Sequence, residues 1–377
     1  MMMKKTLIAL AVACAASAAG AANVDVYGAV DAYVAVNNDS GNVSTALSSG
    51  GSTGNYFGFQ GSEDLWEGGQ VVFKLEAGFL VDDGTFAQSF AGNSNRLFHR
   101  EAWVGLRDKT WGQISFGRQY TPHFLTWAMT DVNGLSLGTA ASPFFFPGRV
   151  ATMGGDDPTQ DDLVRRNNSI MYVSPSFGGA TLMAYAALGE STRHDNRPSS
   201  TAGNVYNLAV NYANGPLFVM ASALHQDFAQ TAVPYAQGGR DYQDDAQYYE
   251  LAASYDFGFT KAAVQFEYKK GQGTPQGPDF YVAQIGATTP CLGGRINTTA
   301  AYLHDKDNED ADGYSFGIRY DYDLSKRTMV YVGVEAVINE DNAQRSIEAG
   351  PDSSFHFQNS APGHDQQQFF VGMRHKF

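Results

Sequence analysis

The sequence predicts an all-β protein, a transmembrane barrel of sixteen antiparallel strands, on three observations. Apolar and polar residues alternate with a period of two over runs of about ten residues, longer than the five or six common in soluble sandwiches. Tyrosines and phenylalanines sit near the ends of these runs, as in the aromatic girdles of membrane barrels. Short turns alternate with longer polar connections, which gives one rim of tight turns and one of long loops. Overall polarity does not oppose this reading, because a barrel strand shows only alternate residues to lipid.

The chain opens with Lys4 and Lys5, an apolar run and the small residues Ala19-Gly20-Ala21, the layout of a secretory signal peptide. Residues 1–22 are read as a removed leader and 23–377 as one barrel domain, since no linker or shift in composition divides the rest. Cys14 lacks the upstream leucine of a lipoprotein cysteine. Loss of the leader takes two lysines and no acids, so 25 basic and 39 acidic residues become 23 and 39, and the net charge moves from −14 to −16. Such an acidic chain disfavours nucleic acid as a partner. Only Cys291 remains, which excludes an intrachain disulfide and a cysteine metal site. No stretch beyond the leader approaches the roughly 18 apolar residues that a membrane helix needs.

Strands are expected to start near Val24, Asn55, Gln70, Phe98, Gly112, Asn168, Ala180 and Asn204, then near Leu217, Ala246, Lys261, Phe280, Arg295, Gly313, Thr328 and Gln367. Short turns fall at LWEGG, KTWGQ, SFGGA, ANGPL, DFGFT and DLSKRT, and longer polar segments at 37–53, 81–97, 189–203 and 226–244. Three runs show the alternation best. In KAAVQFEYK, Ala262, Val264, Phe266 and Tyr268 oppose Lys261, Gln265, Glu267 and Lys269. In GYSFGIRYDYD, Tyr314, Phe316, Ile318, Tyr320 and Tyr322 oppose Ser315, Gly317, Arg319 and Asp321. The terminal QFFVGMRHKF sets Phe369, Val371, Met373, His375 and Phe377 against Phe370, Gly372, Arg374 and Lys376. The twelfth and thirteenth strands have the weakest pattern, because Pro290 and neighbouring glycines interrupt them.

Four stretches carry a resemblance to a known family: VDVYGAVDAYV from Val24, FGFQGSEDL from Phe57, REAWVGLRDKTWGQISFGRQY from Arg100, and LSKRTMVYVG from Leu324 with the terminal VGMRHKF. The chain resembles the trimeric general porins of Gram-negative bacteria, in the beta-proteobacterial form. That resemblance implies a homotrimer in the outer membrane, in contact with lipid and lipopolysaccharide, that passes small hydrophilic solutes by diffusion without a cofactor. It also implies a third outer loop folded inward, with acidic residues opposite basic ones on the wall. The longest connection, from about Thr121 to Arg165, follows the fifth strand, and a structureless loop of that length is normally functional. The terminal aromatic strand ending at Phe377 resembles the signal read by the outer-membrane insertion machinery. The segment with Asp82 and Asp83 is where relatives latch their trimers.

Candidate constriction residues follow. Lys74 opposes Phe73 and Leu75 and points into water beside Glu76. Arg100 occupies the family's wall-arginine position, with Trp103 expected on the opposite face. Arg166 opens the sixth strand where another wall arginine is implied, and Arg165 is the near alternative. Strict alternation puts Arg118 on the face of Ile114 and Phe116, so either the strand has ended or a bulge re-aims the side chain. Asp131 falls at the spacing where family members place a constriction aspartate. Asp156, Asp157, Asp161 and Asp162 read equally as a solvated return segment. Two features depart from the family: Tyr56 and Gln60 replace basic residues around FGFQG, and SPFFFPG from Ser142 replaces a Pro-Glu-Phe tip. Fewer wall cations and an excess of acids favour mild cation selectivity.

Other motifs carry less. GLSLG from Gly134 matches the serine-hydrolase elbow but lacks its flanking strand and helix, so no enzyme is expected. The eight histidines show no metal-ligand spacing and read as surface or interface residues. DKDNEDADG from Asp305 lacks the glycine and terminal glutamate of a calcium loop. The rival function is a substrate-specific porin, in which the SPFFFPG aromatics stack one solute class.

Overall fold

The computed structural model describes residues 22–86, 97–141, 144, 163–189, 203–227, 245–271, 279–347 and 361–377. The leader expected over 1–22 lies outside them apart from Ala22. In chain order the first half holds β1 (Ala22–Asp39), β2 (Asn42–Ser49), β3 (Tyr56–Trp66), β4 (Gly69–Gly78), β5 (Glu101–Asp108), β6 (Gly112–Tyr120), helix α1 (Pro122–Thr130), β7 (Arg165–Val173), β8 (Ala180–Ala187) and β9 (Val205–Asn214). The second half holds β10 (Leu217–Asp227), β11 (Asp245–Asp256), β12 (Lys261–Lys270), β13 (Phe280–Cys291), β14 (Gly294–Asp305), β15 (Gly313–Asp323), β16 (Thr328–Asn339) and β17 (Gln366–Lys376). All pair antiparallel in one sheet that closes on itself through β1 and β17. Because β2 and β3 both pair with β1 and share one stave, the seventeen segments make a sixteen-stave barrel.

The alternation becomes an inside and an outside. On β15, Ser315, Arg319 and Asp321 are buried toward the interior, while Tyr314, Phe316 and Ile318 are exposed on the outer surface. On β12, Gln265, Glu267 and Lys269 turn inward and Val264 and Phe266 outward. An outer surface of exposed valine, leucine and phenylalanine suits hydrocarbon as its solvent. The backbone must then satisfy its own hydrogen bonds within the sheet.

One segment differs from the sequence reading. The polar stretch 37–53 is not a loop: β1 runs on to Asp39, Ser40 and Gly41 turn the chain with φ of 46° and 100°, and β2 returns beside β1. Two positive φ values in a two-residue connection match the twist of a hairpin. The stave then breaks between β2 and β3, and Asp31 repairs the break. Its carboxylate accepts from the backbone N–H of Gly51 (3.2 Å), Ser52 (2.9 Å) and Thr53 (3.1 Å) and from the Tyr331 hydroxyl (2.6 Å). Donors that lost their ladder partners are thereby satisfied. The region around Pro290 holds the two expected strands as a regular hairpin, with Pro290 opposite Arg295 at the rim and Leu292-Gly293 as its two-residue turn.

Closure engages the last residue. Phe377 exchanges two backbone hydrogen bonds with Gly28, at 3.0 and 3.1 Å. Its ring lies over Gly28, where any Cβ would collide with it. Deleting Phe377 is expected to reduce the yield of assembled protein, read on unheated detergent gels, more than it reduces the current of channels that do assemble. Normal assembly of that variant would contradict this role.

Candidate constriction site inside the barrel

The connection from β6 to β7 enters the barrel. Thr121 caps α1 by accepting from the Phe124 N–H at 3.1 Å, and Pro122 opens the helix where a missing N–H costs nothing. The helix packs on the inner faces of β8 to β12. Asn207 accepts from the His123 N–H at 2.6 Å, Gln265 donates to the Trp127 carbonyl at 2.9 Å, and Trp127 Nε1 donates to Glu267 at 3.0 Å. His123 Nδ1 stands 2.9 Å from Glu250. Burial, opposed by the charge of Glu267, pushes the His123 imidazole below its ordinary pKa. His123 and the likewise buried His99 correct the expectation of surface histidines.

Past the helix the loop is stitched to the wall. The Asp131 carboxylate accepts from Asn133 N (2.8 Å), Leu135 N (2.9 Å), the Thr139 hydroxyl (2.8 Å) and Gln284 Nε2 (2.8 Å). Gln284 and Thr299 accept from the N–H groups of Ala141 (2.6 Å) and Ala140 (2.9 Å), and Glu335 from Gly138 (2.9 Å). Arg319 donates to the Ser136 hydroxyl and the Leu137 carbonyl, both at 2.7 Å, so Ser136 is a structural residue. Beneath the loop, Trp127, Leu135 and Phe144 join Phe280, Val282, Leu303 and Val337 in a buried apolar cluster. Asp131, the constriction aspartate that the resemblance implies, is largely buried and anchors the loop to β13. Asp156, Asp157, Asp161 and Asp162 lie outside the described residues.

The cations Lys74, Arg100, Arg118, Arg165 and Arg166 stand on or beside β4 to β7, next to the start of α1, where Tyr120 stacks on Phe124 at 5.0 Å. Glu76 joins Arg100 Nε (2.6 Å), Lys74 (3.3 Å) and the Tyr27 hydroxyl (2.8 Å), and Lys74 also pairs with Glu101. The Tyr120 hydroxyl accepts from both Arg100 (2.9 Å) and Arg165 (3.0 Å), linking one strand edge to the next. Arg165 stacks over the Tyr120 ring at 4.7 Å and Arg100 over Tyr56 at 4.9 Å. Tyr56 thus holds Arg100 against the wall. Arg166 is brought to the same wall and donates to the Gly203 carbonyl at 2.7 Å. Trp103 lies on the face of Glu101 and donates to it at 3.0 Å, because Arg100 precedes β5 and stands outside its alternation.

Arg118 points inward through a bulge. The register with β7 shifts between Gly117 and Gln119, and Gly117 has φ of 133°. The Arg118 guanidinium then meets the His99 carbonyl and, at 2.9 Å, the Asn167 side chain. Only glycine fits there, since a Cβ on residue 117 would run into the Ala102 carbonyl. Sequence reasoning missed Tyr120, Glu101 and Gln284 as partners, although alternation puts Glu101 and Gln284 on inner faces.

Comparison with known proteins agrees with this architecture. The family model described as Gram-negative porin matches residues 6–342. Outer membrane porin protein 32 of Delftia acidovorans is 31% identical over 383 residues, covering 100% of both chains. Among solved structures, the anion-selective porin from Comamonas acidovorans superposes with a TM-score of 0.75 at 24% identity, covering 94% of this chain and 100% of that one. The trimer form of OmpT from Vibrio cholerae gives 0.63 at 15% identity, over 95% of this chain and 100% of its own.

Two substitutions probe the site from opposite walls. Gly117→Val is expected to lower stability by about 1–3 kcal/mol, the scale of one strained backbone position, read as earlier loss of the folded gel band on heating. Asp131→Ala removes four acceptor contacts and is expected to leave the barrel folded while raising current noise, because the loop loses its tie to Gln284. An unchanged noise spectrum would show that the anchor is dispensable.

Proposed function

The chain belongs to the Gram-negative porin family, and from that premise we propose that it is a general diffusion channel, selecting solutes by size and charge in the gap between the inward loop and the cations of β4 to β7. It is an outer-membrane β-barrel protein and a channel rather than an enzyme. The observation that carries the finer reading is the gathering of Lys74, Arg100, Arg118, Arg165 and Arg166 on adjoining staves, beside the point where α1 and its loop enter the barrel. Charges fixed on one side of a narrow opening with low-dielectric walls act strongly on a passing ion.

The rival, a substrate-specific porin, draws its support from the aromatic loop tip. Phe144 is buried in the cluster under the loop, which removes one ring from the lumen, and the rest of SPFFFPG lies outside the described residues. The general reading is therefore preferred. The proposal includes a homotrimer, the form named for the Vibrio structure, contact with lipopolysaccharide, and delivery by a cleaved leader over 1–22 and the insertion machinery. It also keeps a mild cation preference, from the acid excess and from Tyr56 and Gln60 in place of basic residues, set against wall cations of which Lys74 and Arg100 are already paired with Glu101 and Glu76.

Solute flux and selectivity test these points. In liposome swelling, the rate is expected to fall smoothly with solute size; a sugar, amino acid or dicarboxylate that enters faster than its size allows would favour the specific channel. In a potassium chloride gradient the reversal potential is expected to have the sign of cation preference, and Lys74→Glu to shift it further that way. An anion-selective sign, the property named for the Comamonas porin, would overturn the preference.

A further inference from the structure

Beneath α1 lies a group of side chains that solute passage does not use. His123 from the first turn of α1, Glu250 from β11 and Glu267 from β12 bring one potential ligand atom each within 4.8 Å of one another, and all three are buried. Trp127 Nε1 holds one oxygen of Glu267 at 3.0 Å, whereas its Oε1 receives no hydrogen bond. A buried carboxylate oxygen without a donor is costly unless a cation takes the donor's place. The surroundings are aromatic, with the Tyr248 ring edge-on to His123 at 5.3 Å.

We propose that His123, Glu250 and Glu267 form a binding site for a divalent transition-metal ion of the zinc class, which ties the loop helix to two strands of the wall. One imidazole nitrogen and two carboxylates, from three separate elements, are donors that zinc accepts at about 2.0–2.2 Å. Calcium and magnesium prefer sites built wholly of oxygen, so the imidazole selects against them. Bound at such lengths the ligand atoms stand roughly 3.4 Å apart, so the His123–Glu250 pair, now in direct contact at 2.9 Å, has only to open slightly to admit the ion. Trp127 on Glu267 and Tyr248 against His123 supply the outer contacts that orient metal ligands. A divalent charge also balances two carboxylates that share one buried space. The sequence hid this site because its members have no local spacing: Glu250 and Glu267 sit on neighbouring strands, far along the chain from His123.

The test uses the folded full-length protein, stripped with EDTA and titrated with zinc chloride in excess magnesium, which occupies surface carboxylates. About one zinc per chain is expected by calorimetry and elemental analysis, with a higher temperature for loss of the folded gel band. His123→Ala and Glu267→Gln, made separately, are expected to weaken uptake by at least the roughly 10–100-fold that loss of an outer-shell partner causes. Zinc-edge X-ray absorption of the loaded wild type should show an imidazole in a nitrogen and oxygen shell. Three results overturn the proposal: no zinc uptake by the wild type, uptake unchanged in a folded variant, or a shell without imidazole. The absorption measurement decides even where a variant fails to fold.

Discussion

Hydrocarbon offers no hydrogen bonds, and every other feature of this protein follows from that constraint. A sheet can live in such a solvent only when no edge is left open, so β17 must return to β1 and the last residue must find Gly28. The same constraint explains Asp31. Where the second stave breaks, three backbone N–H groups lose the ladder, and one carboxylate gathers them. Alternation is the remaining consequence: with lipid outside, each strand must send its polar residues inward, and the interior becomes the polar side of the molecule.

That interior is divided. Along β8 to β16 the inward residues do not all face water, because α1 and the following turn lie on them and bury Phe280, Val282, Leu303 and Val337. Each fully buried apolar side chain of this size is worth about 1.5–3 kcal/mol. Together with the hydrogen bonds to Gln284, Thr299 and Glu335, this fixes the loop as part of the wall. On β4 to β7 the inward cations are packed against their partners, with Arg100, Arg118, Arg165 and Arg166 buried and Lys74 part-exposed. Tyrosines hold those cations in place, Tyr56 under Arg100 and Tyr120 between Arg100 and Arg165, so the charge pattern is preorganised.

Much of this was legible in the sequence wherever strict alternation holds. The inward rows of β12 and β15, the terminal strand and the orientation of Lys74 follow from counting by twos. The break in alternation at Arg118 left a bulge or a strand end as its two readings, and the register shows the bulge. The hairpin of β1 and β2 was hidden by its serines and asparagines, although Val43 and Leu47 do alternate outward. What the sequence could not carry was contact across the lumen. The bond from Gln284 to Asp131 cannot be read from the sequence, and His123 reads as a surface or interface residue until two strands far along the chain bring Glu250 and Glu267 to it. Local pattern specifies which way a side chain points, whereas a loop that crosses the barrel chooses its partners by tertiary packing.

The central claim is that this closed, polar-lined barrel stays open to water past its inward loop. Current through a planar bilayer after addition of the purified protein measures that most directly. The account predicts discrete upward steps of similar size that carry ions in proportion to voltage without any energy source. Bilayers that stay electrically silent, with the protein shown to be folded and inserted, would contradict it.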